Sequence, residues 1–267
     1  MVVKFGDMEI LNHLKFFYRK FIKRVLGLDK ITPNCIVYGE VGKYPIIHRV
    51  YRRMISFWAK ISEGKSSKLS SIMYKIIYKL HLCGEYDSPW LIAIKNIICN
   101  SGSSHFWYDQ ELFSPKTFIK NDISLQLENQ YFQQWQLDVD KNRKCVAYRI
   151  FKDDIVFESY LNELEFLDRR ALCKFRSGNH RLPVAMSRID KKGVGAESKC
   201  KLCNSHDICD EFHVLFLCKY FETARIKYLK RNHYIRPSTL KMYTLFHSHG
   251  KQLINLAKFI RIIMSTF

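Results

Sequence analysis

Four residues near the C-terminus set the tightest constraint on this chain. They are Cys200, Cys203, His213 and Cys218, in the order C-x2-C-x9-H-x4-C. A C-x2-C turn puts two thiolates on one side of a tight loop, which is half of a tetrahedral metal site. The other half needs two further soft or borderline ligands on an element that folds back, and His213 and Cys218 supply them. Four protein ligands close the coordination sphere, so the expected ion is one structural Zn2+. Cys209 and His206 are rival ligands: Cys209 lies in the hinge between the pairs, and His206 comes three residues after Cys203. A catalytic zinc needs an open position and a base. Glu211 is at hand, but a closed ligand set argues against that use.

The chain has 267 residues, 47% of them hydrophobic and 14% aromatic, enough for a packed core in one large domain or two small ones. Its net charge of +19 points to a polyanionic partner. A membrane surface is the rival. No apolar run approaches the ~18 residues of a membrane span. The segment Met1 to Asp7 lacks an apolar signal core. The expectation is therefore an intracellular protein, nuclear or cytoplasmic, without a membrane partner. Its nine cysteines then read as reduced thiols, zinc ligands plus core residues such as Cys99 and Cys173.

Charge is distributed unevenly. Residues 101–168 carry 12 acids and 7 bases, whereas residues 169–192 carry 8 bases and one acid. Residues 219–267 carry 10 bases and one acid, Glu222. Basic regions thus flank the cysteine-rich segment on both sides. Within the first, Phe175-Arg176-Ser177-Gly178-Asn179-His180-Arg181 combines forked phosphate contacts with rings able to stack on bases. Gly178 would permit close backbone approach. The expected nucleic-acid face comprises Arg169, Arg170, Lys174, Arg176, His180, Arg181 and Arg188, with Lys191 and Lys192 beside them. A helix end followed by a turn also accounts for such cations, because the helix dipole favours them there.

Hydrophobic periodicity predicts a mainly α fold, a bundle-like array of helices with a small CCHC zinc module near the C-terminus. Ile10, Leu14, Phe17, Phe21, Val25 and Leu28 mark one core-facing stripe over residues 8–28, opposite Lys15, Arg19, Lys20, Lys23 and Arg24. Asp29 to Pro45, with two prolines and two glycines, reads as a loop. Helices follow over 46–62 and 68–83, with a polar break at 62–67. Another is capped by Ser88, has Pro89 in its first turn and runs to Cys99. A long helix spans Phe118 to Val139 with two apolar stripes. Cys145 to Ile150 reads as a strand or a helix start, and Asp154–Leu161, Leu164–Phe175 and three C-terminal segments as helical. The expected regions are a helical connector at 1–100, a helical region at 101–195 ending in the basic segment, the zinc module at 196–222, and basic helices at 223–267. The first boundary lies at Asn100 to Ser104.

No catalytic constellation emerges. Phe151-Lys152-Asp153-Asp154 is similar to the paired aspartates of polymerase palms, but a charged lysine is awkward in a buried hairpin and no partner aspartate is apparent. Asp154 fits a helix N-cap better. Gly39-x-x-Gly42-Lys43 is too short for a phosphate-binding loop. The chain reads as a binding protein without a small-molecule substrate.

One family shares these landmarks. Cys200-x-Leu202-Cys203 followed by Asp210-Glu211-Phe212-His213-x-Leu215-x-x-Cys218 resembles the zinc-binding segment at the C-terminal end of LINE-type (non-LTR) retrotransposon reverse transcriptases. Lys174 to Pro183 is similar to the segment before that finger. Thr32 to Pro45 is similar to the connector after the polymerase thumb. The family often has proline after the last cysteine. Lys219 stands here, which bears on a helix stop and not on ligation. The resemblance implies a region that holds element RNA or target DNA during target-primed reverse transcription, lacking the endonuclease and polymerase modules. A protein-interaction module, zinc-stapled and co-opted or decayed, is the alternative.

Overall fold

A computed structural model describes residues 8–62, 69–110, 116–190 and 196–267. Among these the chain is mainly α-helical, and extended pairing is limited to isolated bridges, Val41 with Phe157 and Lys199 with Ile208. The helices are α1 (Met8–Leu26), α2 (Asn34–Glu40), α3 (Ile46–Ser62), α4 (Leu69–Leu82), α5 (Pro89–Asn100), α6 (His105–Tyr108), α7 (Lys116–Lys141) and α8 (Tyr148–Phe151). They continue with α9 (Tyr160–Glu163), α10 (Phe166–Arg176), α11 (Pro183–Asp190), α12 (Glu222–Tyr228), α13 (Arg231–Tyr234), α14 (Thr239–Phe246) and α15 (Gly250–Thr266).

The chain forms two compact units, Met1–Tyr18 with Tyr44–Gln134, and Arg19–Lys43 with Trp135–Phe267. The divisions fall inside α1 and α7. The regions 1–100 and 101–195 marked out from sequence each contribute to both units, and the Asn100–Ser104 break is a turn within the first. Residues 63–68, where the polar break was expected, lie outside the described residues, as do Lys191 and Lys192.

The first unit packs α3, α4, α5, α6 and the N-terminal part of α7 around Trp58, Leu91, Ile94, Trp107 and Ile123. Polar atoms carried into such a core need hydrogen-bond partners. A relay supplies them here: Trp58 Nε1 donates to the Tyr74 hydroxyl at 2.8 Å, which donates to Gln110 Oε1 at 2.7 Å. Ser88 stands at the N-cap of α5 with Pro89 behind it, yet its hydroxyl makes no capping bond.

In the second unit α10 lies along α15, and Phe175 and Phe151 stack on Phe246 at 6.1 and 4.2 Å. Here the structure corrects three expectations. Asp29–Pro45 is not a loop throughout, because α2 buries Cys35, Ile36, Val37, Tyr38 and Glu40. The prolines and glycines punctuate its ends: Pro33 sits at its N-cap and Gly42, at φ +57, turns the chain so closely that a Cβ would meet Phe157 N at 2.2 Å. Asp154 to Ser159 is not helical, since the Val41–Phe157 bridge holds the backbone extended. Asp154 caps no helix, its carboxylate accepting from the Ile155 amide at 2.6 Å. The stripe on α1 is not core-facing: Leu14, Phe17, Phe21 and Val25 are exposed, whereas Ile22 and Leu26 are buried. Its register is turned because only the last turns of α1 pack.

The centre of the second unit is ionic. Arg176 is fully buried and contacts Glu40 Oε1 at 3.2 Å and Glu158 Oε2 at 3.0 Å. The Tyr160 hydroxyl also donates to Glu40, and Lys152 pairs with Glu158 at 2.5 Å. The guanidinium carbon lies 5.5 and 5.3 Å from the Phe151 and Tyr160 ring centres. Removing one member of such a cluster strands a buried charge, whereas replacing a pair by apolar groups of similar size need not. Arg176→Ala should therefore lower the unfolding free energy by about 3–5 kcal/mol in urea titration. Glu40→Gln/Arg176→Met should recover most of that loss; a double variant as unstable as Arg176→Ala would disprove the account.

Candidate metal centre

Residues 198–209 fold into a knuckle. The Cys200 amide donates to the Asp207 carbonyl at 2.9 Å, and the Cys209 amide to the Ser198 carbonyl at 2.8 Å. His206, at φ 59, reverses the chain after the C-x2-C turn. Asp210 then accepts from the His213 amide at 2.8 Å and starts a helical segment. That segment continues as a π-turn over His213–Leu217, closed by the Cys218 amide on the His213 carbonyl at 2.8 Å. The π-turn explains the x4 spacing. An α-helix turns every 3.6 residues and would carry the fifth residue away from His213, whereas the wider turn returns Cys218 to the same side.

The four sequence-predicted ligands come together, their ligand atoms all within 4.8 Å of one another. Cys203 Sγ lies 3.3 Å from His213 Nε2, and Cys200 Sγ lies 3.9 Å from Cys218 Sγ. A tetrahedron with metal–sulfur bonds of about 2.3 Å and metal–nitrogen bonds of about 2.0 Å has sulfur–nitrogen and sulfur–sulfur edges of about 3.5 and 3.8 Å. The cluster can hold a metal ion in that geometry. His213 presents Nε2 to it, leaving Nδ1 buried without a hydrogen-bond partner and 3.9 Å from Asp207 Oδ2. A carboxylate behind the far ring nitrogen commonly orients a ligand imidazole in this way. Burial works against the Cys203 thiolate, but hydrogen bonds from Ser205, Cys200 and His213 bring its pKa down to about 6. The rivals stay outside: Cys209 is fully buried, with its thiol pKa raised by burial and by Cys200, and His206 is exposed.

Glu211 is a clamp. Its Oε1 lies 3.1 Å from His180 Nε2 and 2.9 Å from Arg188 NH1, tying α11 and the segment after α10 to the ligand loop. Burial resists its charge, but His180 and Arg188 outweigh it and hold the carboxyl at about 2. A carboxylate so committed is no general base. Arg225, missed in the sequence reading, supports the second ligand pair: it donates to the carbonyls of Leu215 at 2.7 Å and Cys218 at 2.8 Å.

The expected nucleic-acid face is reassigned in part. Arg176 and His180 are removed from solvent, Arg176 by Glu40 and Glu158 and His180 by Glu211. Arg188 is likewise paired with Glu211, and Arg169 donates to the Leu161 carbonyl at 3.0 Å. Phe175 is fully buried beside His180 and stacks on no base. Gly178 serves a turn at φ +63, where a Cβ would lie 3.0 Å from the Lys144 carbonyl. Arg170 and Arg181 are exposed, and Lys174 is half-buried.

Of these, Arg170 meets cations from elsewhere in the second unit. Arg170 lies across Gly27, its Nε 2.5 Å from where a Cβ would be. Lys23 reaches the Lys30 and Thr32 carbonyls at 2.9 and 2.6 Å, and Lys144 the Ile31 carbonyl at 3.3 Å. Burial above all lowers the Lys23 pKa, and the charges of Arg19 and Lys144 add to it. Only the folded chain brings residues so far apart in sequence to one loop.

No family model, curated protein or solved structure matches this chain. Arg225→Ala should cost at least about 2 kcal/mol in thermal or urea unfolding, because two charge-assisted bonds to buried carbonyls are lost. A neutral effect would mean the π-turn carbonyls need no partner.

Proposed function

We propose that the chain is a nucleic-acid-holding module, stapled by one structural Zn2+ on Cys200, Cys203, His213 and Cys218. Three thiolates and an imidazole suit zinc, and four protein ligands leave no position for substrate or activated water. The metal's contribution is then to folding. The observation that carries the binding reading is the cationic surface of the second unit, where Lys23, Lys30, Lys144 and Arg170 gather around the Gly27–Thr32 loop. Phosphate backbones relieve such crowding by neutralising several charges at once. The resemblance to the C-terminal region of LINE-type reverse transcriptases favours the same reading: a part that holds element RNA or target DNA and leaves polymerisation to another module.

A second reading has its own support. Leu14, Phe17, Phe21 and Val25 expose an apolar stripe on α1, as a protein-interaction module would. Titration against RNA, duplex DNA and an acidic peptide separates the two. Tight, salt-sensitive binding of either nucleic acid favours the first, and preference for the peptide the second.

Elemental analysis should find one zinc per chain in the wild type and in Cys209→Ser, and none in Cys203→Ser, which also loses thermal stability. Retention of the metal by Cys203→Ser would refute the ligand set. Arg170→Gln/Lys30→Gln, both exposed, should stay folded and reduce the slope of log affinity against log salt by about 1.4–1.8, the value for two phosphate contacts. An unchanged slope would move the interface elsewhere.

A further inference from the structure

The C-terminal segment of the second unit holds a cleft outside the metal centre and outside the Gly27–Thr32 surface. It has a volume of about 470 Å3 and is lined by Arg231, Asn232, His233, Ile235, Lys241 and Thr244, from α13, α14 and the loop between them. Residues 223–267 contain nine lysines and arginines and no acid. Accordingly, among the described residues, no ion pair engages Lys230, Arg231, Arg236 or Lys241. Lys241 is steered into place by donating to the Ile235 carbonyl at 2.5 Å. Gln252 Nε2 sits 2.6 Å from His233 Nε2, which fixes that buried ring as the acceptor and leaves its proton on Nδ1.

Two features decide what such a cleft takes. Its cations are uncompensated, so an anion is favoured over a neutral ligand. It is an open groove larger than an inorganic ion fills, and exposed Ile235 and the Thr244 methyl give it an apolar wall that an ion would leave unused. A phosphate joined to a flat, partly apolar body satisfies both. We propose that the cleft between α13 and α14 is a nucleotide pocket, which takes one unstacked base of a single strand against Ile235 and Thr244 and its phosphate on Arg231 and Lys241. This deepens the nucleic-acid reading and rests on it. Single strands splay bases out for such pockets and duplexes do not.

The test uses the zinc-loaded chain. Adenosine or uridine monophosphate at millimolar concentration should shift the Ile235 and Thr244 methyl signals and the His233 ring signals in NMR. Arg231→Gln/Lys241→Gln, the first exposed and the second half-buried, should fold normally, abolish those shifts and weaken single-stranded RNA binding at least about fivefold, with a smaller effect on duplex. Equal shifts from inorganic phosphate would overturn the nucleotide assignment in favour of a plain anion site. No shifts from mononucleotide in a chain that still binds RNA would overturn the pocket and leave the broader reading standing. A chain that binds neither RNA nor DNA but shows the shifts would overturn the broader reading and keep the pocket as a free-nucleotide site.

Discussion

The second unit depends on burying one guanidinium. Arg176, at the end of α10, is enclosed by Glu40 from α2 and Glu158 from the extended segment before α9, with the Phe151 and Tyr160 rings beside it. A buried ion is tolerable only when charge and hydrogen bonds are returned to it, and so the partners must arrive together. That requirement gathers three segments distant in sequence. The backbone reinforces it, the Glu158 amide donating to the Glu40 carbonyl at 3.1 Å.

The same helix end leads into the metal centre. After Arg176 the chain turns at Gly178, and His180 reaches Glu211, which stands two residues before the ligand His213. The knuckle, the π-turn and Arg225 then set the four ligand atoms. The centre and the ionic core are thus successive stations on one path. A metal bound there would hold fixed the segment from which α12 to α15 depart. The basic surface is built on the same frame, since Arg170 is carried by α10.

Much of this was legible in the sequence. The ligand set was readable because thiolates and imidazole at that spacing have few other uses, and the structure brings those four together. The long helices were readable from periodicity: α3, α4, α5, α7 and α15 lie where apolar residues recur at helical steps. The short α2 was hidden, because seven residues between prolines and glycines carry too little periodicity to outweigh the punctuation. The face of α1 was misread for a related reason. A stripe shows that residues share a side and not which side is covered.

The role of the arginines was not readable either. Arg169, Arg170, Arg176, Arg181 and Arg188 are alike as letters, and charge clustering marked them all as partners for phosphate. Whether an arginine meets solvent or a carboxylate depends on what lies opposite, and Glu40 and Glu158 are opposite Arg176 only after the chain has folded. The sequence by itself determined the helical class, the candidate metal-binding cluster and the excess of positive charge, because these rest on residue type and local spacing. Tertiary structure alone decided which cations are spent inside the protein and which face outward, because burial and long-range pairing are properties of the packed chain.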